Sequence, residues 1–107
     1  MKTLHISVND KIATYINRDG KIVCGNSDYQ IEFTFDSEWD NATNKKARFI
    51  WNGQHEDVDI DENNIATIPV LSNTKQLIVG VYADEISTTA VVIPCVLSVL
   101  CEGGING

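Results

Sequence analysis

Apolar and polar residues alternate strictly in the segment from Tyr29 to Phe35, where every odd position is aromatic or aliphatic. Successive side chains of a β-strand point to opposite faces, so this pattern predicts a strand with one buried face. The same period returns in the segments 47–51 and 57–61. Valine, isoleucine and threonine together number 31, against 11 for alanine and leucine, which favours strands over helices throughout the chain.

Turn signals divide the chain into about eight short strands. Asn52-Gly53 predicts a tight hairpin that spans residues 46–60, because this dipeptide favours positive φ. By the same argument, residues 19–20 (Asp-Gly) predict a second hairpin between the segments 14–16 and 21–24. Strands at spacings of about 8–12 residues are typical of a sandwich. We therefore predict an all-β fold, an immunoglobulin-like antiparallel β-sandwich of about seven to nine strands.

The length of 107 residues fits one domain. We assign residues 1–101 to a single β-sandwich domain and interpret the glycine-rich segment 102–107 as a flexible tail. No window predicts a helix, and the segment 36–44 is interpreted as a loop between the sheets, with Trp39 plugging the end of the core. The predicted core consists of Ile31, Phe33, Phe35, Trp39, Phe49, Trp51, Val79 and Val81.

Fifteen acidic and eight basic residues give the chain a formal net charge of −7. This charge repels phosphate backbones and anionic lipid headgroups, so we expect neither nucleic acid nor a membrane as a partner. No apolar stretch approaches the roughly 20 residues that a membrane-spanning helix needs. Residues 1–5 lack the apolar segment of a secretory signal.

Three cysteines cannot all pair within one chain, and none of their spacings matches a Cys-x-x-Cys site. Cys24 and Cys95 lie in apolar runs, where a thiol behaves as a small hydrophobic side chain. We interpret both as reduced, buried thiols in a reducing compartment. A disulfide between Cys24 and Cys95 is the alternative.

The residue types offer little support for catalysis or for a metal site. Asp57, Asp59 and Asp61 match the first three ligand positions of a calcium loop, but the glycine and glutamate required later in such a loop are missing. A solvated strand face is the preferred interpretation of these three carboxylates. His5 and His55 lie in no motif that supplies a nucleophile and an orienting acid. We therefore expect a protein that is not an enzyme and that has no cofactor.

Flat aromatic rings stack on sugar rings, which makes the aromatic residues candidates for carbohydrate contact. Tyr29 and Trp51 share the parity of the apolar sides of their strands, so burial is predicted for both. Tyr82 lies beside a turn and is expected to be exposed. A carbohydrate-binding module that uses Trp39 and Tyr82 in one groove is the alternative function.

The run 90–100 contains seven large aliphatic residues, more than a small sandwich buries easily. Pro94 cannot donate to a strand ladder, which points to an edge strand or to a crossing between sheets. Proteins tolerate an apolar edge strand when another subunit covers it. Two interpretations remain: the run mediates self-association, or it forms an internal strand of the sandwich. The first reading predicts an oligomer interface formed by Val92, Val96, Leu97 and Val99.

Three groups of residues together resemble a known kind of domain. They are Tyr29-Gln30-Ile31-Glu32-Phe33-Thr34-Phe35-Asp36-Ser37-Glu38-Trp39-Asp40, then Lys46-Ala47-Arg48-Phe49, then Asn52-Gly53. This combination resembles small β-sandwich domains in structural proteins of phages and prophages of Gram-positive bacteria, where they occur in tails, baseplates and head fibres. The resemblance continues through Val79-Gly80-Val81-Tyr82-Ala83, Thr88-Thr89 and Ile93-Pro94, and so covers about residues 29–94.

Domains of this kind commonly serve as anchoring or oligomerising modules ahead of a fibre or a receptor-binding part. The resemblance implies a non-enzymatic virion module that is assembled in the bacterial cytoplasm. It also implies that the partners are other copies of the chain and other virion proteins. Under the carbohydrate alternative, the ligand is a glycan of the host cell surface.

Overall fold

The computed structural model describes residues 1–16 and 20–99 and consists mostly of β-strands. The strands are β1 Lys2–Asn9, β2 Ile12–Tyr15, β3 Ile22–Val23, β4 Tyr29–Phe35, β5 Lys46–Trp51, β6 Gln54–Asp59, β7 Ile65–Thr67, β8 Gln76–Ala83, β9 Ile86–Ser87 and β10 Val91–Val96. A 3-10 helix of three residues, Ser37–Trp39, follows β4. In the described part of the chain no helix has the length and apolar character to cross a membrane. The predicted tail 102–107 lies outside the described residues, as do Asp19, Leu100 and Cys101.

The strands form two sheets that pack together. The smaller sheet has the order β2-β1-β4-β7, and the larger has the order β3-β10-β8-β5-β6, with β9 paired to β8. The all-β prediction is confirmed, but the purely antiparallel arrangement is wrong, because β1 pairs with β4 and β3 with β10 in parallel. Both parallel pairs arise where the chain leaves one sheet and returns to it, since parallel neighbours require a crossover connection.

One of the two predicted hairpins is confirmed. Asn52 and Gly53 have φ angles of 51° and 74° and form the two-residue turn between β5 and β6. The hairpin predicted at residues 19–20 is wrong, because β2 pairs with β1 in the smaller sheet and β3 pairs with β10 in the larger. A tight turn at Asp10 and Lys11, both with positive φ, connects β1 to β2 instead.

Alternate residues of the two sheets meet in one core. Trp39 is 1% exposed and belongs to this core, as predicted. Phe35 is the exception among the predicted core residues, because it ends β4 and is only half-buried, with the ammonium of Lys45 5.5 Å from its ring centre. The predicted core residues that are buried are Ile31, Phe33, Trp39, Phe49, Trp51, Val79 and Val81.

The aliphatic run that begins at residue 90 forms β10, an interior strand of the larger sheet. Its residues alternate between the two sides of the sheet, as the pleat requires. Val91, Ile93 and Cys95 are buried in the core, whereas Val92 and Val96 are exposed on the opposite side. The run is therefore an internal strand that still presents aliphatic side chains to solvent.

Pro94 occupies a position in β10 where no donor is needed. The N–H of Cys95 donates to the carbonyl of Lys75 at 2.9 Å, so the neighbouring nitrogen of Pro94 points away from β8. On that side β3 pairs only with residues 95–96. Pro94 thus marks a locally unpaired edge within an interior strand.

Candidate functional site

The side of the larger sheet that points away from the core is called the outer face below. On it an aliphatic row crosses three strands, since Val92 in β10 pairs with Ile78 in β8, and Ile78 pairs with Ile50 in β5. Val92 is 52% exposed, and the two isoleucines are half-buried. A continuous aliphatic row on the solvent side of a sheet is a feature of interaction surfaces.

The four residues of the predicted oligomer interface do not share one environment. Val92 and Val96 both lie on the outer face, with exposures of 52% and 39%. Leu97 follows the last residue of β10, is half-buried and packs against the core. Val99 is 81% exposed beyond the end of the strand.

A polar cluster adjoins the aliphatic row on β5, β6 and β8. The Nε and Nη2 of Arg48 donate to the two carboxylate oxygens of Asp57 at 2.8 and 3.0 Å. The hydroxyl of Tyr82 donates to Oδ2 of the same carboxylate at 2.6 Å. The hydrogen bonds from Arg48 and then from Tyr82 stabilise the charged carboxylate and lower the pKa of Asp57 to about 2. The guanidinium carbon of Arg48 also lies 5.4 Å from the ring centre of Tyr82.

A second ion pair, between Lys46 and Asp59, lies two residues farther along β5 and β6, in the next cross-strand pair that faces the same side. Together with the pair of Arg48 and Asp57, it sets two cations against two carboxylates in this part of the outer face. The polar cluster therefore has no net charge, although the chain as a whole carries −7. Asp61, the third predicted strand carboxylate, lies beyond β6 and accepts N–H bonds from the turn that follows.

A β-bulge separates β9 from β10 on the edge of β8. Val79 pairs with Val91, and the N–H of Thr88 donates to the carbonyl of Val81 at 2.9 Å. The single residue Gly80 therefore faces two residues, 89 and 90, which is the signature of a bulge. Residue 89 turns toward the smaller sheet, where its N–H donates to the carbonyl of Lys11 at 2.9 Å.

The bulge and Gly80 together open a groove of about 360 Å³ on the outer face. Gly80 forms part of its lining and has no side chain to fill it. Strand β5 contributes Arg48 and Ile50, and the segment around the bulge contributes residues 87–88 and 90. Tyr82 lines the same groove, so its aliphatic and polar walls are continuous with the row and the cluster described above.

A second hollow, of about 400 Å³, lies beside the turn between β1 and β2. Lys11 and Glu38 form an ion pair at its rim, and Asp84 accepts hydrogen bonds from the N–H and hydroxyl of Thr43. Across residues 1–16 and 20–99, no three His, Cys, Asp or Glu side chains are arranged to hold a metal ion. The groove on the outer face is the stronger candidate, because it adjoins the aliphatic row of Val92, Ile78 and Ile50.

The two aromatic residues predicted to contact a glycan are in different environments. Tyr82 is half-buried and lines the groove. Trp39 is 1% exposed, and its ring centre lies 5.0 Å from that of Phe35 in the core. Trp39 therefore presents no ring face to solvent, and the carbohydrate reading depends on Tyr82 alone.

The two imidazoles lie on different sheets. His5 in β1 lies 3.8 Å from the carboxylate of Glu32, on the solvent side of the smaller sheet. His55 in β6 is exposed and pairs with Ile50. The two histidines therefore do not share a cleft.

Cys24 and Cys95 are both reduced and buried, and no disulfide joins them. The thiol of Cys24 donates to the carbonyl of Thr74 at 3.3 Å. Burial, followed by the proximity of Cys24, raises the pKa of the Cys95 thiol to about 12. Cys95 is therefore protonated at neutral pH, which makes it a weak nucleophile.

Sequence reasoning missed the most informative residues of this site, namely Ile50, Ile78, Gly80 and Arg48. One signal is present in the sequence, since the segment 76–82 is apolar at both parities, a pattern typical of a strand buried on both sides. The structure shows instead that one of these sides faces solvent.

Comparison of the chain with protein-family models, with curated proteins and with solved structures finds no match.

Proposed function

We propose that this chain is a non-enzymatic assembly module that acts through protein–protein contact and associates with copies of itself through the outer face. The observation that supports this proposal is the row of exposed Val92 and half-buried Ile78 and Ile50 on the outer face, opposite the side that packs in the core. Burial of such a row stabilises a complex by about 25 cal/mol per Å² of apolar area. The acidic surface elsewhere keeps unassembled subunits soluble.

The proposed setting is a phage virion assembled in the bacterial cytoplasm, with other virion proteins as further partners. This setting is supported by the resemblance of residues 29–94 to phage structural domains. The finer assignment of the fold as immunoglobulin-like belongs to the same proposal, and it is supported by the packing of two sheets around Trp39 and Trp51. Cofactors, nucleic acids and membranes have no part in the proposed function.

Mass measurement tests the proposal directly. Size-exclusion chromatography with light scattering, at several concentrations in reducing buffer, should give a mass that is a multiple of 11.8 kDa. Val92→Arg should dissociate this oligomer, because it places an unpaired charge in the aliphatic row. Val70→Arg is the matched control, since Val70 is 54% exposed but lies in the connection between β7 and β8. A strict monomer at every concentration, or equal effects of the two substitutions, would contradict the proposal.

Carbohydrate binding is the second candidate, and the position of Tyr82 in the groove favours it. Its ring lies between Arg48 and the polar residues 87–88, an arrangement that offers both a flat surface and hydrogen-bonding groups. A glycan array probed with the wild-type chain and with Tyr82→Ala tests this candidate. Binding that Tyr82→Ala abolishes, in a chain that stays monomeric, would support carbohydrate recognition and contradict assembly.

A further inference from the structure

Gly80 lies in the interior of β8, where glycine weakens a strand because it restricts the backbone least and has no side chain to pack. Its φ angle is not positive, so the backbone does not require glycine. A Cβ at this position would have its nearest neighbours, Oγ1 of Thr88 and the carbonyl of Thr89, at 3.8 Å, which is ordinary van der Waals contact. The packing of the chain itself therefore does not explain the glycine. Its visible effect is to keep the groove open.

The most exposed side chain of the aliphatic row lies next to this groove. Val92 pairs with Ile78, which precedes Gly80 by two residues on β8, so both positions are on the outer face and are diagonal neighbours. Ala90, which precedes Val92 on the same side of the chain, lines the groove. A protruding side chain and a hollow of the outer face are thus adjacent on one surface.

This adjacency suits a two-fold symmetric pair. In such a pair the same patch meets itself, so a feature at one position contacts its complement on the partner copy. A two-fold axis that lies parallel to the sheet, perpendicular to the line from Val92 to Gly80 and midway between them, brings Val92 of each copy over Gly80 of the other. Both contacts form at once, and neither requires a second kind of surface.

The charge distribution favours a second copy of the chain over a charged partner. Two chains of net charge −7 repel each other in general. At the groove, however, Arg48 is held by Asp57 and Lys46 by Asp59, so two copies of this surface meet without an excess of either charge. A strongly basic or strongly acidic partner gains no net attraction from the same pairs.

We infer that the groove over Gly80 receives the Val92 side chain of a second copy of this chain, in a two-fold symmetric dimer. This inference rests on the proposed function, because it specifies how the outer face associates with itself. Gly80 is then a residue that determines the register of the assembly.

Two single substitutions and their mixture test the inference. Gly80→Val fills the groove, and Val92→Ala removes the inserted side chain, so each variant alone should raise the dimer dissociation constant by about tenfold or more. In an equimolar mixture, Val92 of the first variant meets the open groove of the second, while the filled groove meets the shortened side chain. We therefore expect a heterodimer that forms more tightly than either homodimer, measured by native mass spectrometry with one variant labelled with ¹⁵N.

Gly80→Ala serves as the control for folding, because its Cβ fits at 3.8 Å from its neighbours and leaves most of the groove open. It should match the wild type in circular dichroism, which shows that a substitution at this position does not by itself unfold the chain. Formation of the heterodimer also shows that Gly80→Val is folded. If Gly80→Val associates as tightly as the wild type, or if the mixture shows no preference for the heterodimer, the inference is overturned. In that case the proposed function still stands if Val92→Arg dissociates the oligomer, whereas a monomeric wild type removes both.

Discussion

The two sheets differ in the side chains that they present to solvent in corresponding rows across neighbouring strands. On the smaller sheet, His5 in β1 pairs with Glu32 in β4, and Glu32 pairs with Ile65 in β7. Two of the three members are polar, and the imidazole and carboxylate lie 3.8 Å apart. The corresponding row of the larger sheet, described above, is aliphatic in all three strands.

Neighbouring rows extend this difference. On the smaller sheet, the side-chain amide of Gln30 donates to the hydroxyl of Thr3 at 2.9 Å across β4 and β1. On the larger sheet, Arg48 and Asp57 satisfy each other beside a groove. A sheet that packs against the core needs apolar side chains on one side only. The side chains on the other side therefore indicate what that side contacts. The exposed aliphatic residues of the smaller sheet, Ile12 and Ile16, lie at its edge beside polar rows, whereas we propose that the continuous aliphatic row of the larger sheet contacts protein.

The largest expected effect tests whether β10 keeps its two sides apart, on which the comparison depends. In a Cys101→Ser background, Val96→Cys introduces a thiol on the outer face of the strand that holds Cys95 inward. Cys95 has a pKa of about 12, so its thiolate at pH 8 is about a thousandfold rarer than that of an ordinary exposed thiol. Pulse alkylation with peptide mapping, at a protein concentration low enough to keep the chain monomeric, should therefore modify the introduced thiol about a hundredfold faster or more, because the higher nucleophilicity of a high-pKa thiolate offsets only part of the difference in thiolate population. Equal rates would mean that the odd positions of β10 are not held in the core.

The second prediction exchanges the character of the two outer rows. Ile50→Thr with Ile78→Thr keeps branched side chains in the larger sheet but makes its row polar, and it should weaken self-association by about a hundredfold or more. The mirror variant, His5→Val with Glu32→Val, completes an aliphatic row with Ile65 on the smaller sheet. Sedimentation velocity should show a new association in the mirror variant. Unchanged association of the first variant would contradict the assignment of the outer face.

The third prediction concerns the polar cluster, which has no equivalent of comparable geometry in the His5 row. Arg48→Met removes the main cause of the low pKa of Asp57, which should rise from about 2 toward the ordinary value of about 3.9. A carboxyl-carbon NMR titration of both proteins measures this rise. The contribution of the pair to stability is present above about pH 4 and is lost as the pH falls toward 2, because the folded-state pKa is the lower one. A titration of Asp57 that is unchanged by Arg48→Met would contradict the geometry of the cluster.

Local patterns predicted those parts of the fold that local patterns determine. The alternation in Tyr29–Phe35 gave β4 and the burial of its odd residues, and Asn52-Gly53 gave the turn between β5 and β6. Leu4, Ile6 and Val8 alternate just as clearly in β1, but they were not included in the predicted core. Their alternation in the sequence is the signal that indicates this burial.

Other features depend on contacts between distant segments and have no local signal. Residues 19–20 form a dipeptide that favours a tight turn. The flanking strands nevertheless join different sheets, because β2 pairs with β1 and β3 pairs with β10. The groove exists because Gly80 lies opposite a bulge formed by residues 89–90. The residue types at positions 89 and 90 do not predict a bulge. The site therefore depends on strand pairing between distant segments. The candidate valines of β10, by contrast, can be predicted from the local run of aliphatic residues.

The smallest expected effect separates the two donors that hold Asp57. Tyr82→Phe removes one hydroxyl donor and leaves both bonds from Arg48 in place. The pKa of Asp57 should therefore rise by less than in Arg48→Met, because Arg48 is the larger cause of its lowering. The same NMR titration measures it, and self-association should be retained, since the variant keeps the ring that lines the groove. A larger rise in Tyr82→Phe than in Arg48→Met would mean that the hydroxyl, and not the guanidinium, organises this side of the larger sheet.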